Sequence, residues 1–354
     1  MLNIFASRRK KIKDHLEPNG LDAFLVQSPA NRYYLSGFEL HDPQCNESAG
    51  YLLITPDEDY LLTDPRYLQA GKELFPENNI FVYTRDKYKQ ISGFLSKCGV
   101  ERVGFEPQWM SYEFYEALRA EMLLSPEKGW VENLRMVKDS QEIQALRKSC
   151  ALNHKVFYQL EDLIRPGLSE AEVAWEAEKL FREQGAQELS FSVIAAAGEN
   201  AALPHATPGE KVIQDDMPFL VDMGCRVQDY CSDQSRTFWI GNTQEEFFKK
   251  TRDRVRRAQD KVIAWMGPGK SIHEAYEVVV SFFAGLGVDK QFTHSLGHGI
   301  GLETHESPSL GPNSNGEFLP GMVVTVEPGL YYPDWGGVRW EYMVLITSTG
   351  VEIL

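Results

Sequence analysis

Residues 218–224 read Pro-Phe-Leu-Val-Asp-Met-Gly, and residues 230–240 read Tyr-Cys-Ser-Asp-Gln-Ser-Arg-Thr-Phe-Trp-Ile. The first is an apolar run of strand length, the second is interpreted as the returning strand, and the short glycine-containing connection between them predicts an antiparallel hairpin. Asp222 ends the first predicted strand, and Asp233 lies inside the second. The hairpin at 218–240 therefore carries two carboxylates where a buried sheet is expected.

The same pattern recurs near the C-terminus, in the hairpin predicted at 321–347. Glu327 ends a β-branched run there, and Glu341 lies within the returning strand. Burying an ionised carboxylate without a partner costs several kcal/mol, so four such groups require compensating cations. Arg236 and Arg339 are close in sequence, but two divalent metal ions would neutralise the four carboxylates directly.

A histidine-rich segment lies between the two hairpins. Residues 294–306 read His-Ser-Leu-Gly-His-Gly-Ile-Gly-Leu-Glu-Thr-His-Glu and contain His294, His298 and His305, and His205 is a fourth candidate. The glycines allow the backbone to approach a crowded centre. One imidazole with four carboxylates makes a mixed nitrogen and oxygen site, which suits manganese, cobalt, iron or zinc better than calcium. The residues alone do not choose among these four metals.

The second half of the chain contains a weak internal repeat. Pro166-Gly-Leu-Ser169 and Pro268-Gly-Lys-Ser271 lie 102 residues apart, and each serine has a glutamate three residues later, Glu172 and Glu274. This spacing is typical of a serine that caps a helix. Because each copy also precedes one of the acidic hairpins, we predict a duplicated unit of helix and sheet with a site between its halves.

The first 130 residues alternate helical and strand periodicity, which is typical of an α/β domain. Helices are predicted at 4–18, 66–74, 88–97 and 111–122, and strands at 22–27, 50–54, 60–63, 79–83 and 102–105. An amphipathic stretch at 139–163 begins a second domain. We therefore predict two domains, residues 1–133 and residues 134–354.

Composition limits the function classes. The chain has 354 residues, of which 43% are hydrophobic and 25% charged, and 36 basic against 51 acidic residues give a net charge of −15. That charge would repel a phosphate backbone or an anionic membrane, so neither nucleic acid nor membrane is an expected partner. The five cysteines include no CxxC pair, and no apolar stretch approaches the length of about 20 residues that spans a bilayer. The charge order at the N-terminus also differs from that of a secretory signal, so we predict a cytoplasmic protein.

Taken together, these motifs resemble metallopeptidase family M24, the group of creatinase, prolidase, aminopeptidase P and methionine aminopeptidase, over the whole chain. The resemblance implies a small N-terminal α/β domain and a pita-bread catalytic domain with an internal pseudo-twofold repeat. It also implies two divalent metal ions per chain, manganese in preference to cobalt, zinc or iron. The positions that match the family's five metal ligands are Asp222, Asp233, His298, Glu327 and Glu341.

By the same matching, His205, His294 and His305 resemble the family's outer catalytic histidines, and Glu327 takes and passes on a proton during catalysis. Arg339 is a candidate for substrate binding. Asp233 and Glu341 would bridge the two metals.

The resemblance favours the proline-specific branch, which implies hydrolysis of the Xaa-Pro bond at peptide N-termini. The extra N-terminal domain and the spacing of fourteen positions from Glu327 to Glu341 support this branch. Aminopeptidase P and Xaa-Pro dipeptidase activities stay open, and the alternative is a catalytically inactive pita-bread module that binds peptides. The residues that depart from the family pattern and bear on substrate preference are Ala206, Gln234, Ser235, Trp340 and Tyr342.

The family also implies a homodimer, in which the N-terminal domain of one subunit can lie over the partner's site. The polar loop at 39–48 is a candidate for this contact. We expect His41 or Asp42 to help limit substrate length from across the dimer interface, against the simpler interpretation of a solvated surface loop.

Overall fold

The structure is a computed structural model that describes residues 2–42, 47–243 and 245–354, without the side chains of the first two of these residues. Contacts between Cα atoms divide the chain into two compact units, Met1–Arg135 and Met136–Leu354.

The first unit contains a mixed six-stranded sheet and surrounding helices. Its helices are α1 (Leu2–Leu16), α2 (Pro29–Ser36), α3 (Leu68–Leu74), α4 (Lys87–Lys97), α5 (Tyr112–Arg119) and α6 (Trp130–Met136). Its strands are β1 (Ala23–Val26), β2 (Gly50–Ile54), β3 (Asp59–Thr63), β4 (Ile80–Val82), β5 (Arg102–Phe105) and β6 (Leu123–Pro126). The strand order is β4-β3-β2-β1-β5-β6.

Parallel and antiparallel pairs both occur in this sheet. The β1–β2 and β2–β3 pairs are antiparallel, whereas β1–β5, β3–β4 and β5–β6 are parallel. Central strands β1 and β2 are buried along their whole length. A core of buried apolar side chains, among them Leu25, Leu53, Val103 and Phe114, packs against the sheet.

Helices α2 and α6 and strand β6 of the first unit were not predicted. Helix α2 begins at Pro29 after the N-cap Ser28, whose side chain accepts a hydrogen bond from the Asn31 amide. Serine followed by proline is a recognised helix-start signal, but the eight-residue segment is too short to show a helical period. Strand β6 is exposed or half-buried and ends in proline, so it lacks the apolar pattern of a strand.

The second unit is built from two helix pairs and several antiparallel sheets. Its helices are α7 (Ser140–Glu161), α8 (Glu170–Glu183), α9 (Glu246–Trp265) and α10 (Ile272–Gly285). Its strands are β7 (Glu188–Leu189), β8 (Ile194–Ala197), β9 (Met217–Met223), β10 (Cys225–Val227), β11 (Tyr230–Cys231), β12 (Gln234–Ile240), β13 (His298–Gly299), β14 (Glu306–Ser309), β15 (Val323–Val326), β16 (Gly329–Tyr332), β17 (Gly336–Arg339), β18 (Tyr342–Ile346) and β19 (Val351–Ile353).

Both acidic hairpins form, and each contains an insertion. Strands β9 and β12 pair antiparallel over seven residues, and short strands β10 and β11 lie between them in sequence. Strands β15 and β18 pair antiparallel, and the separate hairpin β16–β17 is inserted between them. The predicted hairpins are thus correct in their outer strands, whereas the inserted strands are only two to four residues long and carry little periodicity.

The internal repeat is visible in the helix caps. Ser169 caps α8 in a capping box with Glu172, and the Ser271 side chain accepts a hydrogen bond from the Glu274 amide at the start of α10. Both serines also form isolated antiparallel bridges, Ser169 with Val212 and Ser271 with Glu317. Each half therefore repeats the order of long helix, capped helix and antiparallel sheet.

Two buried clusters of apolar side chains support these halves, one centred on α8 and β9 and the other on α9, α10 and β15. Within the described residues, no helix combines the length and apolarity that crossing a bilayer requires.

Candidate metal centre

The first acidic hairpin brings two carboxylates to one end of a buried sheet. Asp222 lies in β9, and Asp233 directly precedes β12, one residue earlier than the predicted position inside the strand. Ser235 pairs with Asp222 across the two strands. Because successive side chains of a strand alternate between faces, Asp233 and Ser235 face the same side.

The second hairpin brings two more carboxylates to the same region of the unit. Glu327 directly follows β15, and Glu341 lies between β17 and β18 rather than within a strand as predicted. The Glu341 amide donates to the Ser235 carbonyl at 3.2 Å, and the Glu327 amide donates to the Leu296 carbonyl at 2.9 Å. Backbone hydrogen bonds therefore connect the second hairpin to the first and to the histidine-rich segment.

Three of these carboxylates form a compact group. One oxygen each from Asp222, Asp233 and Glu341 lie within 4.8 Å of one another, and all three residues are buried. Asp222 Oδ1, Asp233 Oδ1 and Glu341 Oε1 are buried oxygens with no hydrogen-bond partner. Buried carboxylate oxygens that lack donors are costly unless a cation satisfies them, so the chemistry of this group fits a divalent metal ion.

The electrostatics of the group also favour a bound cation. Burial raises the pKa of Asp233, and the neighbouring carboxylates of Glu341, Asp222 and Glu327 raise it further. Burial also raises the pKa of Glu341, with Glu327 as the largest neighbouring charge. Like charges in a desolvated site favour protonation in the absence of a cation, and a bound metal would reverse that preference.

His298 joins the group on its other side. Its Nε2 lies 3.7 Å from Asp233 Oδ2 and 3.4 Å from Glu327 Oε1. Its Nδ1 lies 3.1 Å from the Gly299 carbonyl oxygen, an arrangement that assigns the ring proton to Nδ1 and leaves Nε2 as an available ligand atom. Burial lowers the pKa of His298, which keeps the imidazole neutral as metal binding requires.

Glu327 is held by a threonine. The Thr325 hydroxyl donates to Glu327 Oε1 at 3.1 Å and accepts from the His298 amide at 3.0 Å. Burial raises the pKa of Glu327 to about 7. A carboxyl group that titrates near neutrality can both accept and return a proton, as a catalytic acid and base must.

Arg339 and Ser235 surround this group with hydrogen bonds. Arg339 is 2% exposed, and its Nη2 donates to Asp222 Oδ2 at 2.6 Å. Its Nε donates at 2.7 Å to the Ser235 hydroxyl, which in turn donates to Glu341 Oε2 at 2.8 Å. Arg339 therefore compensates one of the four acidic charges, and Ser235 links it to a second carboxylate. These hydrogen bonds of Ser235 were not predicted, although its position two residues after Asp233 on one strand face was a usable signal.

His294 lies beside Arg339 and is neutral. His294 Nε2 lies 2.9 Å from the Tyr331 hydroxyl. The same hydroxyl accepts a hydrogen bond from Arg339 Nη1 at 3.0 Å. Burial, with a contribution from Arg339, lowers the pKa of His294 to about 4. Tyr331 was not predicted, because a tyrosine in an inserted hairpin gives no sequence signal for such a contact.

The other two outer histidines lie in different environments. The His305 ring meets the His298 ring edge-on, with centroids 4.3 Å apart, and burial lowers the pKa of His305. His205 is exposed, in the loop that follows β8. The carbonyl oxygen of Pro204, next to His205, accepts from Arg339 Nη1 at 3.1 Å, so this loop contacts an arginine that also bonds Asp222.

The unusual residues beside Glu341 surround an arginine. The Arg236 guanidinium carbon lies 4.4 Å from the centre of the Trp340 ring and 4.6 Å from that of Tyr342. Arg236 Nη1 also donates to the main-chain carbonyl oxygen of Glu341. The two aromatic residues thus stack on a cation that contacts the backbone of a candidate ligand.

In the first unit, the polar loop is described only in part, because residues 43–46 lie outside the described residues. Asp42 Oδ1 accepts from Arg32 Nη2 at 3.0 Å and from the Ala49 amide at 2.9 Å. These bonds fix the end of the loop within its own unit. The expected effect of His41 and Asp42 on substrate length stays a prediction.

Comparison with known proteins gives a consistent result over both units. The profile of metallopeptidase family M24 matches residues 144–348, and that of the creatinase/prolidase N-terminal domain matches residues 8–137. An Xaa-Pro dipeptidase of Pyrococcus horikoshii is 32% identical over 100% of this chain and 98% of that protein.

Two solved structures have folds similar to that of this chain. An Xaa-Pro dipeptidase from Bacillus anthracis is similar with a TM-score of 0.90 at 31% identity, over 99% of this chain and 97% of that one. An X-Pro aminopeptidase from Thermotoga maritima is similar with a TM-score of 0.83 at 28% identity, over 94% and 95% of the two chains.

The chain belongs to metallopeptidase family M24. It is a hydrolase of that family, with a creatinase/prolidase N-terminal domain followed by a pita-bread catalytic domain, and the predicted mixed α/β fold is confirmed. Members of the family use divalent metal ions, and the buried acidic group described above is compatible with them.

Proposed function

We propose that this protein is a dinuclear-metal exopeptidase that hydrolyses the Xaa-Pro bond at peptide N-termini, with Xaa-Pro dipeptides as the preferred substrates. The observation that carries the proposal is the convergence of Asp222, Asp233 and Glu341 within 4.8 Å, with His298 Nε2 between Asp233 and Glu327. Relatives of full length named Xaa-Pro dipeptidase support the substrate class.

The five candidate ligands divide into two overlapping sets. The first set contains Asp222, and the second contains His298 and Glu327. Asp233 lies close to both sets. Glu341 belongs to the first set and also interacts electrostatically with Glu327. This division suits two ions, manganese in preference to cobalt, zinc or iron. When bound, such ions lower the pKa of water and polarise the scissile carbonyl.

The protein's own residues then bind substrate and move protons. Glu327, which accepts a hydrogen bond from the Thr325 hydroxyl and lies 3.4 Å from His298 Nε2, takes the proton of the attacking water and passes it towards the prolyl nitrogen. His305 and His205 hold the carbonyl oxygen and the substrate backbone as charge develops. His294 is neutral and bonded to Tyr331, so it serves as a hydrogen-bonding group rather than as a cation.

Arg339 is the cation that favours dipeptides. A dipeptidase must hold the free carboxylate of Xaa-Pro, and Arg339 has one Nη2 hydrogen left for it after donating to Ser235, Pro204, Tyr331 and Asp222. Arg339 is buried beside Asp222 and Tyr331, where its charge is poorly screened by solvent. We therefore assign it to the substrate's carboxylate end.

The proposal extends to location and assembly. Cys98, Cys150, Cys225 and Cys231 are free thiols, which suits a reducing cytoplasm. The catalytic domain is assigned to residues 134–354 and the N-terminal domain to residues 1–133. The assembly is a homodimer, as the family resemblance implies.

His41 and Asp42 are assigned a role in limiting substrate length across the dimer. Replacing residues 40–47 with a short glycine-containing turn is expected to change the ratio of rates on dipeptides and longer peptides while leaving metal content unchanged. An unchanged ratio in a folded dimeric variant would remove this loop from the account.

The substrate proposal is tested by rates on matched peptides. Purified protein loaded with Mn²⁺ is assayed on an Xaa-Pro dipeptide, on Xaa-Pro-Yaa tripeptides with the same first residue, and on an Xaa-Ala dipeptide as the control. We expect kcat/KM to be highest for Xaa-Pro and lowest for Xaa-Ala. Faster cleavage of the tripeptides would identify an aminopeptidase instead, and no cleavage of any proline peptide would refute the proposed activity.

A further inference from the structure

A buried carboxylate at the start of α8 binds both ends of a single loop. Glu170 is 1% exposed, and its Oε1 accepts hydrogen bonds from the Ala197 amide and from Asn200 Nδ2, each at 2.8 Å. Its Oε2 accepts from the Gly209 amide at 3.1 Å. One side chain therefore connects the first residues of the loop at 198–209 with its last residue.

The loop at 198–209 is also held from its other side. A Cβ atom on Gly336 would lie only 2.6 Å from the Gly198 carbonyl oxygen, so the hairpin β16–β17 approaches the loop at a distance that only glycine permits. Arg339 Nη1 donates to the Pro204 carbonyl oxygen at 3.1 Å. The loop thus lies between Glu170 and the hairpin that carries Arg339.

His205 lies in this loop between two residues that contact the surroundings of the metal centre. Its neighbour Ala206 is 7% exposed and packs with Leu220 and Tyr331 in a small apolar cluster. Its other neighbour, Pro204, accepts a hydrogen bond through its carbonyl oxygen from Arg339, which also donates to Asp222. The position of His205 therefore depends on how firmly the surrounding backbone is held.

The carboxylate is well suited to this task. It lies in the first turn of α8, where the helix dipole favours a negative charge, and it accepts hydrogen bonds from three donors. Glutamine would place an amide NH₂ group against at least one of these donors. That change removes a hydrogen bond and leaves a buried N–H group unsatisfied, although the side chain keeps its size.

We propose that Glu170 is a positioning residue, which fixes the loop at 198–209 and through it holds His205 at the catalytic site. Its effect on catalysis rests on the proposed peptidase function, in which His205 contacts substrate. Its effect on the loop does not.

The test is a double-mutant cycle on Mn²⁺-loaded protein, with hydrogen exchange of the 198–209 amides measured in parallel. Glu170→Gln should accelerate exchange in this segment by at least about tenfold and lower kcat/KM for Xaa-Pro by about tenfold. Bound metal should stay unchanged. In a His205→Ala background the same substitution should change kcat/KM by less than about twofold, because the group that it positions is gone.

Glu172→Gln is the matched control, since Glu172 lies in the same turn, belongs to the capping box and is exposed to solvent. It should alter neither loop exchange nor kcat/KM beyond about twofold. If Glu170→Gln does not fold, Asn200→Ala removes one donor to the same carboxylate and should give a smaller loss with the same dependence on His205.

Unchanged loop exchange in Glu170→Gln would overturn the proposal, as would an equal loss of kcat/KM with and without His205. Faster loop exchange in a protein that cleaves no proline peptide would instead retain the role of Glu170 in fixing the loop and refute the peptidase function.

Discussion

Replacing Asp233 with asparagine should stabilise the metal-free protein while removing its stabilisation by metal. The oxygens of Asp222, Asp233 and Glu341 lie within 4.8 Å of one another, and two unit charges at that distance repel by about 3.5 kcal/mol at an effective dielectric constant of about 20. Burial and these neighbours raise the pKa of Asp233, so partial protonation lowers the repulsion. We therefore expect Asp233→Asn to raise the metal-free free energy of unfolding by about 2 kcal/mol.

The assay is thermal unfolding of chelator-treated protein, before and after addition of Mn²⁺. About 2 kcal/mol corresponds to a rise in Tm of about 4–8 °C for a domain of this size. Wild-type protein should gain further stability from Mn²⁺, whereas Asp233→Asn should gain little, because a ligand stabilises only the state that binds it. Asp215→Asn, at an exposed position, is the control and should behave as wild type. A lower metal-free Tm in Asp233→Asn, or an undiminished response to Mn²⁺, would refute this reasoning.

Three further substitutions test the surrounding residues. Ser235→Ala removes a donor to Glu341 and an acceptor from Arg339, and should weaken metal binding by about 10–100-fold in a competition titration with a chelator; equal affinity would contradict the role given to Ser235. Arg339→Lys loses the Nη2 hydrogen assigned to the substrate carboxylate and should lower the ratio of Xaa-Pro to Xaa-Pro-Yaa rates by about tenfold or more, so a constant ratio would exclude it as the carboxylate-binding residue. His305→Ala should keep its metal and lose about 10²-fold in kcat, and a parallel loss of metal would reassign this histidine as a ligand.

Much of the candidate site can be predicted from the sequence, because charged side chains occur there in segments whose apolar pattern predicts buried strands. Asp222 and Glu327 interrupt apolar, β-branched runs that predict buried strands, and a buried carboxylate demands a partner. The identity of those partners depends on tertiary structure. The sequence indicates Arg339 as a substrate-binding residue, but its hydrogen bond from Nη2 to Asp222 depends on how the strands pair.

Glu170 shows the limit of sequence reasoning most clearly. A glutamate in the first turn of a helix is common, because it interacts favourably with the helix dipole, and Glu172 in the same turn looks equivalent. Only the folded structure distinguishes the two glutamates, because the Gly209 amide donates a hydrogen bond to Glu170 whereas Glu172 is exposed to solvent. A long-range hydrogen bond of this kind has no periodicity from which it could be predicted.

The predicted elements of the fold follow the same rule. Strand β2 and the long helix α7 have strong apolar periods and were predicted within about two residues of their bounds. Helix α2 and strand β6 are short, and tertiary contacts rather than propensity decide their structure.

The central claim, a dinuclear metal centre built from strand-borne carboxylates and one histidine, is tested most directly by metal analysis of protein purified without chelator, with Xaa-Pro hydrolysis measured on the same samples. We predict about two divalent ions per chain in the wild-type protein, and loss of both activity and most of the metal in Asp233→Ala and in Glu341→Ala. Full activity in metal-free protein, or in either variant, would contradict the account.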